Sequence, residues 1–143
     1  MNFPREPSII GTWALVATEW RRADGRHANP FGADATGILT YDAAGYMSAQ
    51  VMRADRPAAA VAGIDTAMTT AVPGYIAYFG TYEVDAGAAL ITHHVIGSAF
   101  PGWVGQTHGR NFSVEGDRLS LSADVVSADG VAVHASTTWE RVG

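Results

Sequence analysis

Tight reversals at short intervals constrain this chain more than any other feature. Asp24-Gly25, Asp42-Ala43-Ala44-Gly45, Asp85-Ala86-Gly87, Glu115-Gly116-Asp117 and Ser127 to Gly130 separate short segments rich in β-branched and aromatic residues. Such turns supply the backbone conformations that antiparallel hairpins need. Parallel strands need crossovers of a dozen or more residues, which these short links do not provide.

The segments read as eight strands. Strand one runs from about Gly11 to Arg21, strand two from Thr36 to Tyr41 and strand three from Tyr46 to Met52. Strand four is expected at Gly80 to Val84, five at Ala89 to Ser98 and six from Gly105 to Val114. RLSLSAD forms strand seven, and Val131 to Arg141 strand eight, with Val133, Ala135, Thr137, Trp139 and Arg141 on one face. On strand one both faces are largely apolar, so alternation does not choose its interior. Trp13, directly after Gly11-Thr12, suggests an aromatic plug at one end of a closed sheet. Arg53 to Thr70 is alanine-rich and reads as a covering loop or short helix, with Asp65 able to cap one turn. Tyr75 to Phe79 is ambiguous between helix and strand, and a short helix closing one barrel end is favoured. The expected fold is therefore all-β: one domain over residues 1–143, an eight-stranded antiparallel up-and-down barrel with a short helix or lid between strands three and four. A sandwich would need longer crossovers.

Composition narrows the partners. Of 143 residues, 48% are hydrophobic and only 16% charged, with a formal net charge of -5. No basic stretch offers a groove for nucleic acid, and the negative balance disfavours anionic membrane. There is no cysteine, which excludes disulfides and thiolate ligands and suits a reducing cytoplasm. The opening MNFPREPSII does not read as a signal peptide, and no apolar run is long enough for a spanning helix. The expected location is cytoplasmic.

Candidate chemistry concentrates in Ala89 to Arg110. His93 and His94 are adjacent on one strand, so alternation sends one to each face. Both faces are otherwise apolar and leave the choice open. The reading favours His94 inward, where a neutral imidazole can move a proton as general acid or base. His108 and Arg110 share a face with Gln106 and Phe112. Arg110, if inward, needs a salt bridge to Glu83 or Glu19, or an anionic ligand oxygen. Tyr46, Gln50, Tyr78 and Tyr82 are candidate hydrogen-bond partners for a ligand. Phe100 and Trp103 belong to FPGWVG, which reads as a rigid rim or lid beside His108. No metal is expected, because adjacent strand histidines point apart and no carboxylate spacing supports a site. No cofactor is implied.

The whole chain resembles the lipocalin-like, or calycin, proteins, and more closely the small bacterial and fungal lipocalin-like domain family. The marks are Gly11-Thr12-Trp13, Pro30-Phe31-Gly32, Gly45 to Gln50, Tyr75 to Tyr82, Thr92 to Val95, Phe100 to Gly105 and Trp139-Glu140-Arg141. The resemblance places Arg141 across Trp13, where cation and ring close the barrel bottom. It implies a barrel that holds a small apolar or aromatic molecule. Two alternatives use the same residues. The first is a cofactor-independent isomerase, cyclase or dehydratase acting on a polyketide-like carbonyl compound, with His94 moving the proton and Arg110 or a tyrosine steadying oxyanion charge; His93 is the other histidine candidate. The second is a structural or interaction protein, a homodimer built on outward apolar residues such as Trp20.

Overall fold

A computed structural model describes residues 9–26, 31–55, 74–126 and 129–143. Asp65 and most of the expected excursion between strands three and four lie outside these residues. The strands are β1 (Gly11–Arg22), β2 (Thr36–Tyr41), β3 (Tyr46–Met52), β4 (Tyr75–Asp85), β5 (Leu90–Ser98), β6 (Thr107–Glu115), β7 (Arg118–Val126) and β8 (Ala132–Arg141). They pair antiparallel in chain order, and β8 returns to β1, so the sheet is a closed up-and-down barrel. Closure gives every strand two neighbours in the ring, the two terminal strands included.

Tyr75 to Phe79 is strand, not the short helix expected. Ile76, Tyr78, Gly80, Tyr82 and Val84 keep one inward alternation from end to end. β3 pairs with that run continuously, from Met52↔Tyr75 to Tyr46↔Thr81. A continuous ladder with a neighbouring strand outweighs a weak local preference.

The two apolar faces of β1 also find an explanation. A register shift between Leu15 and Ala17 marks a bulge against β8. Before it, Trp13 and Leu15 pack into the core; after it, Thr18 and Trp20 face the interior. One extra residue moves the inward phase from odd to even positions. Trp20 is therefore an interior residue, not part of an outward dimer face.

One end of the barrel is packed solid. Ile9, Trp13, Tyr41, Ile91 and Leu119 are completely enclosed there. The Arg141 guanidinium carbon lies 4.3 Å from the centre of the Trp13 ring. Arg141 Nη1 donates to the Ile10 carbonyl at 2.6 Å, and Trp13 Nε1 donates to the Ile9 carbonyl at 2.9 Å. The backbone amides of Thr12 and Val142 close the seam by bonding Gly143 and Thr12 carbonyls, each at 2.9 Å.

At Gly80 the backbone of β4 runs close against β5, where the register shifts again. A Cβ there would overlap the His94 carbonyl oxygen, whereas a Cβ at Gly102 would meet open space. Gly80→Ala is expected to cost roughly 1–3 kcal/mol as overpacking against backbone. Gly102→Ala should stay close to wild type. Urea denaturation midpoints of the two variants check this, and equal midpoints would contradict the packing argument.

Candidate functional site

Above the packed end the barrel opens into a cavity of about 530 Å³. Its floor is Leu39, Ala49, Val51, Leu121 and Trp139, all buried members of the core cluster. Trp20, Phe31, Ile76 and Trp103 add wall. Polar side chains are few among these: Thr18, Tyr78, His93, Arg110, Ser122 and Thr137. Trp139 uses its indole N–H on Thr137 Oγ1 at 2.8 Å. This is the volume and composition of a small-molecule site, with apolar walls and a small number of orienting groups.

The rim beside it is built by the chain between β5 and β6. Pro101–Trp103 forms a single 3-10 turn. Gly105, at φ 86°, takes a left-handed conformation that other residues rarely adopt. Its amide donates to the Val95 carbonyl at 2.9 Å, and the Val95 amide donates to Gln106 at 3.0 Å. The turn is thus tied to β5 just after Trp103. The Trp103 ring meets Phe100 edge-on at 5.1 Å, His108 at 4.7 Å and Tyr78 at 5.7 Å.

His93 is the centre of the polar group. It is 1% exposed and the single fully buried polar residue among those described. Its Nε2 lies 2.6 Å from the Tyr41 hydroxyl and its Nδ1 lies 2.8 Å from the Tyr78 hydroxyl. The register explains the arrangement. Tyr78 and Tyr82 alternate inward on β4, His93 faces Tyr82 across the β4–β5 ladder, and His108 faces His93 across β5–β6. Burial, reinforced by Arg110, His108 and His94, pushes the His93 pKa down to about 3. Burial raises the phenol pKa of both Tyr41 and Tyr78. The three groups are consequently neutral near pH 7, and the charge in the cavity wall is that of Arg110.

A model of the lipocalin-like domain family matches residues 10–142 of this barrel. The chain belongs to that family. No protein of curated function matches it. Within this lipocalin-like barrel the Trp13–Arg141 stack lies at the packed end, where the resemblance placed it.

The sequence candidates separate into two groups. Tyr78, His93, Trp103 and Arg110 come together at the cavity. His108 shares their inward face, but packs edge-on against Trp103 and Tyr78 instead of lining the open space. Its Nε2 meets Gln106 Oε1 at 2.9 Å, and its enclosed Nδ1 has no partner. Phe100 supports Trp103 from the rim. Tyr82 is interior but belongs to the packed end, donating to the Asp42 carbonyl at 2.6 Å and meeting the Tyr41 ring at 4.8 Å.

His94, Tyr46 and Gln50 are on the outside. The expectation of an inward His94 is reversed: it lies 3.2 Å from Thr107 Oγ1 and 3.7 Å from Glu83 Oε2 on the outer surface. Ile91, His93 and Val95 are the buried residues of β5. An imidazole with two phenols to bond is more cheaply enclosed than one beside a carboxylate that water can solvate. Tyr46 is 56% exposed. Gln50 donates to Ser48 on the outer face at 3.0 Å, because Met47, Ala49 and Val51 are the buried side of β3. Arg110 forms no ion pair with Glu83, Glu19 or any other described carboxylate; its hydrogen bond is to the Gly109 carbonyl at 3.0 Å. Among the described residues no three His, Cys, Asp or Glu side chains converge as a metal site.

Tyr41 is the neighbour of His93 that the sequence did not flag. Its signal was available: it shares the parity of Leu39, and it pairs with Met47 at the start of the apolar face of β3. Trp20 was hidden by the β1 bulge, which sequence alternation cannot reveal.

The native His93 pKa of about 3 lies below the ordinary histidine value of 6.5. The unfolded chain therefore takes up the proton first, and the stability contributed by a neutral His93 is complete above pH 6.5 and lost as pH falls from 6.5 toward 3. His93→Phe should cost about 1–3 kcal/mol near neutrality by leaving the Tyr41 hydroxyl buried without a partner. The stability gap between wild type and variant should then shrink across that acid window. Chemical denaturation at a series of pH values measures it, and a gap independent of pH would exclude a buried neutral His93.

Proposed function

We propose that this barrel binds a small, mainly apolar or aromatic molecule in its open half. The observation that carries the reading is the cavity of about 530 Å³ between a packed barrel end and the Trp103 rim. Three tryptophans, Trp20, Trp103 and Trp139, and Phe31 offer ring surface to it. Each apolar ligand group transferred from water to such walls contributes about 25 cal/mol per Å² removed from solvent. The small polar set gives orientation, since it lies within an otherwise apolar lining. Family membership supports a calycin-type binding fold; the ligand assignment is carried by the cavity.

Ala135 lines the cavity on β8 and is half-buried. Ala135→Trp should fill part of the open space while leaving the barrel seam untouched. Native mass spectrometry after incubation with a metabolite extract is expected to show a retained small molecule on the wild-type chain. Ala135→Trp should lose it, with an unchanged far-ultraviolet circular dichroism spectrum. Retention of the same mass by the folded variant would place binding elsewhere and refute the cavity reading.

A further inference from the structure

Resting on the binding reading, the polar wall also identifies the chemistry of one end of the ligand. We propose that the ligand carries an oxyanion on an apolar body (a carboxylate, enolate or phenolate) held jointly by Arg110 and the Tyr78 hydroxyl.

Arg110 is the first half of the argument. A guanidinium has five N–H donors and no acceptor. Here one of its nitrogens, Nη1, bonds the Gly109 carbonyl, and no described carboxylate lies within ion-pair distance. On the outer face Glu83 stands against His94, and Asp124 against His134 at 2.8 Å. At the wall of an apolar cavity this half-buried cation has no described partner of opposite charge. An anionic ligand oxygen supplies that partner.

Tyr78 is the second half, and hydrogen-bond bookkeeping fixes which way it points its proton. A neutral imidazole donates from one nitrogen and accepts at the other. Tyr41 is completely enclosed, and its hydroxyl has His93 Nε2 as its hydrogen-bond partner. If Nε2 carried the proton, the Tyr41 O–H would be buried with no acceptor. The satisfied arrangement has Tyr41 donating to Nε2 and Nδ1–H donating to the Tyr78 oxygen. The Tyr78 hydroxyl proton then has no acceptor among the described residues. Tyr78 and His93 line the cavity and Tyr41 does not, so this spare donor belongs at the cavity side of the chain. Burial keeps the Tyr78 phenol protonated, so the donor is retained at neutral pH. A donor beside a fixed cation selects an acceptor bearing negative charge and rejects an ammonium.

Three probes with one body test the assignment: 2-naphthoate, 2-naphthalenemethanol and 2-naphthylmethylammonium, titrated calorimetrically into the intact chain. The wild type should bind naphthoate about tenfold or more tighter than the alcohol, with the ammonium weakest, the gain expected of a charge-assisted hydrogen bond. Arg110→Gln should bring naphthoate down to the affinity of the alcohol. Tyr78→Phe should lower the naphthoate preference several-fold, and Arg110→Lys should keep part of it. If Arg110→Gln does not fold, as circular dichroism would show, the lysine variant carries the test, and an undiminished preference in it overturns the proposal. Equal wild-type affinity for anion and alcohol, or a preference surviving Arg110→Gln, overturns the oxyanion assignment alone. Failure of all three probes to bind overturns the cavity reading and this inference with it.

Discussion

Everything in this barrel depends on β1 having two partners. Its first residues pair with β2, from Gly11↔Tyr41 to Ala14↔Ile38. Its remaining length pairs with β8, from Trp13↔Arg141 to Arg22↔Val133. Along the stretch that pairs with β8 its inward phase changes, at the bulge between Leu15 and Ala17. Before the bulge β1 contributes Trp13 to a filled end; beyond it, β1 contributes Thr18 and Trp20 to an open one. The bulge thus falls where the interior passes from a packed half to an open one.

The division has an electrostatic counterpart. At the boundary sits a row of neutral hydrogen-bonding groups, Tyr41, His93 and Tyr78, rather than an ion pair. Ion pairs are enclosed only at a heavy desolvation cost, whereas neutral groups that satisfy one another are tolerated. With both ring nitrogens engaged, His93 is held in a fixed orientation. That suits it to positioning Tyr78 more than to exchanging protons, since the charged imidazole is disfavoured by its surroundings. The structure therefore concentrates the unbalanced charge of the cavity wall on Arg110.

Turn chemistry and alternation made the architecture readable. The Asp42 to Gly45 reversal, the Leu119/Leu121 alternation and the Val133 to Trp139 face all appear in the barrel as their patterns imply. The site was less readable, for reasons that are also physical. Tyr75 to Phe79 has no decisive local preference, and β3 decides it. On β5 both faces are apolar, so which histidine turns inward depends on the two tyrosines that receive it from β2 and β4. Those partners are distant in sequence: Tyr41 is 52 positions from His93 and Tyr78 is 15. Arg110 was flagged through the need of an inward guanidinium for an opposite charge, and its inward placement on β6 follows from the alternation it shares with His108 and Phe112.

The seam that closes the ring has a consequence for how the fold is reached. The Arg141 to Ile10 contact spans 131 positions, so the longest loop in the molecule must close before the packed end is complete. Contacts of that separation are entropically expensive and slow to form. During synthesis, β1 can find β2 early but must wait for nearly the entire chain before β8 exists. Throughout that interval its Trp20-bearing half presents an unpaired, aromatic strand edge. Nascent barrels are thus most prone to pairing with one another just before their last strand emerges.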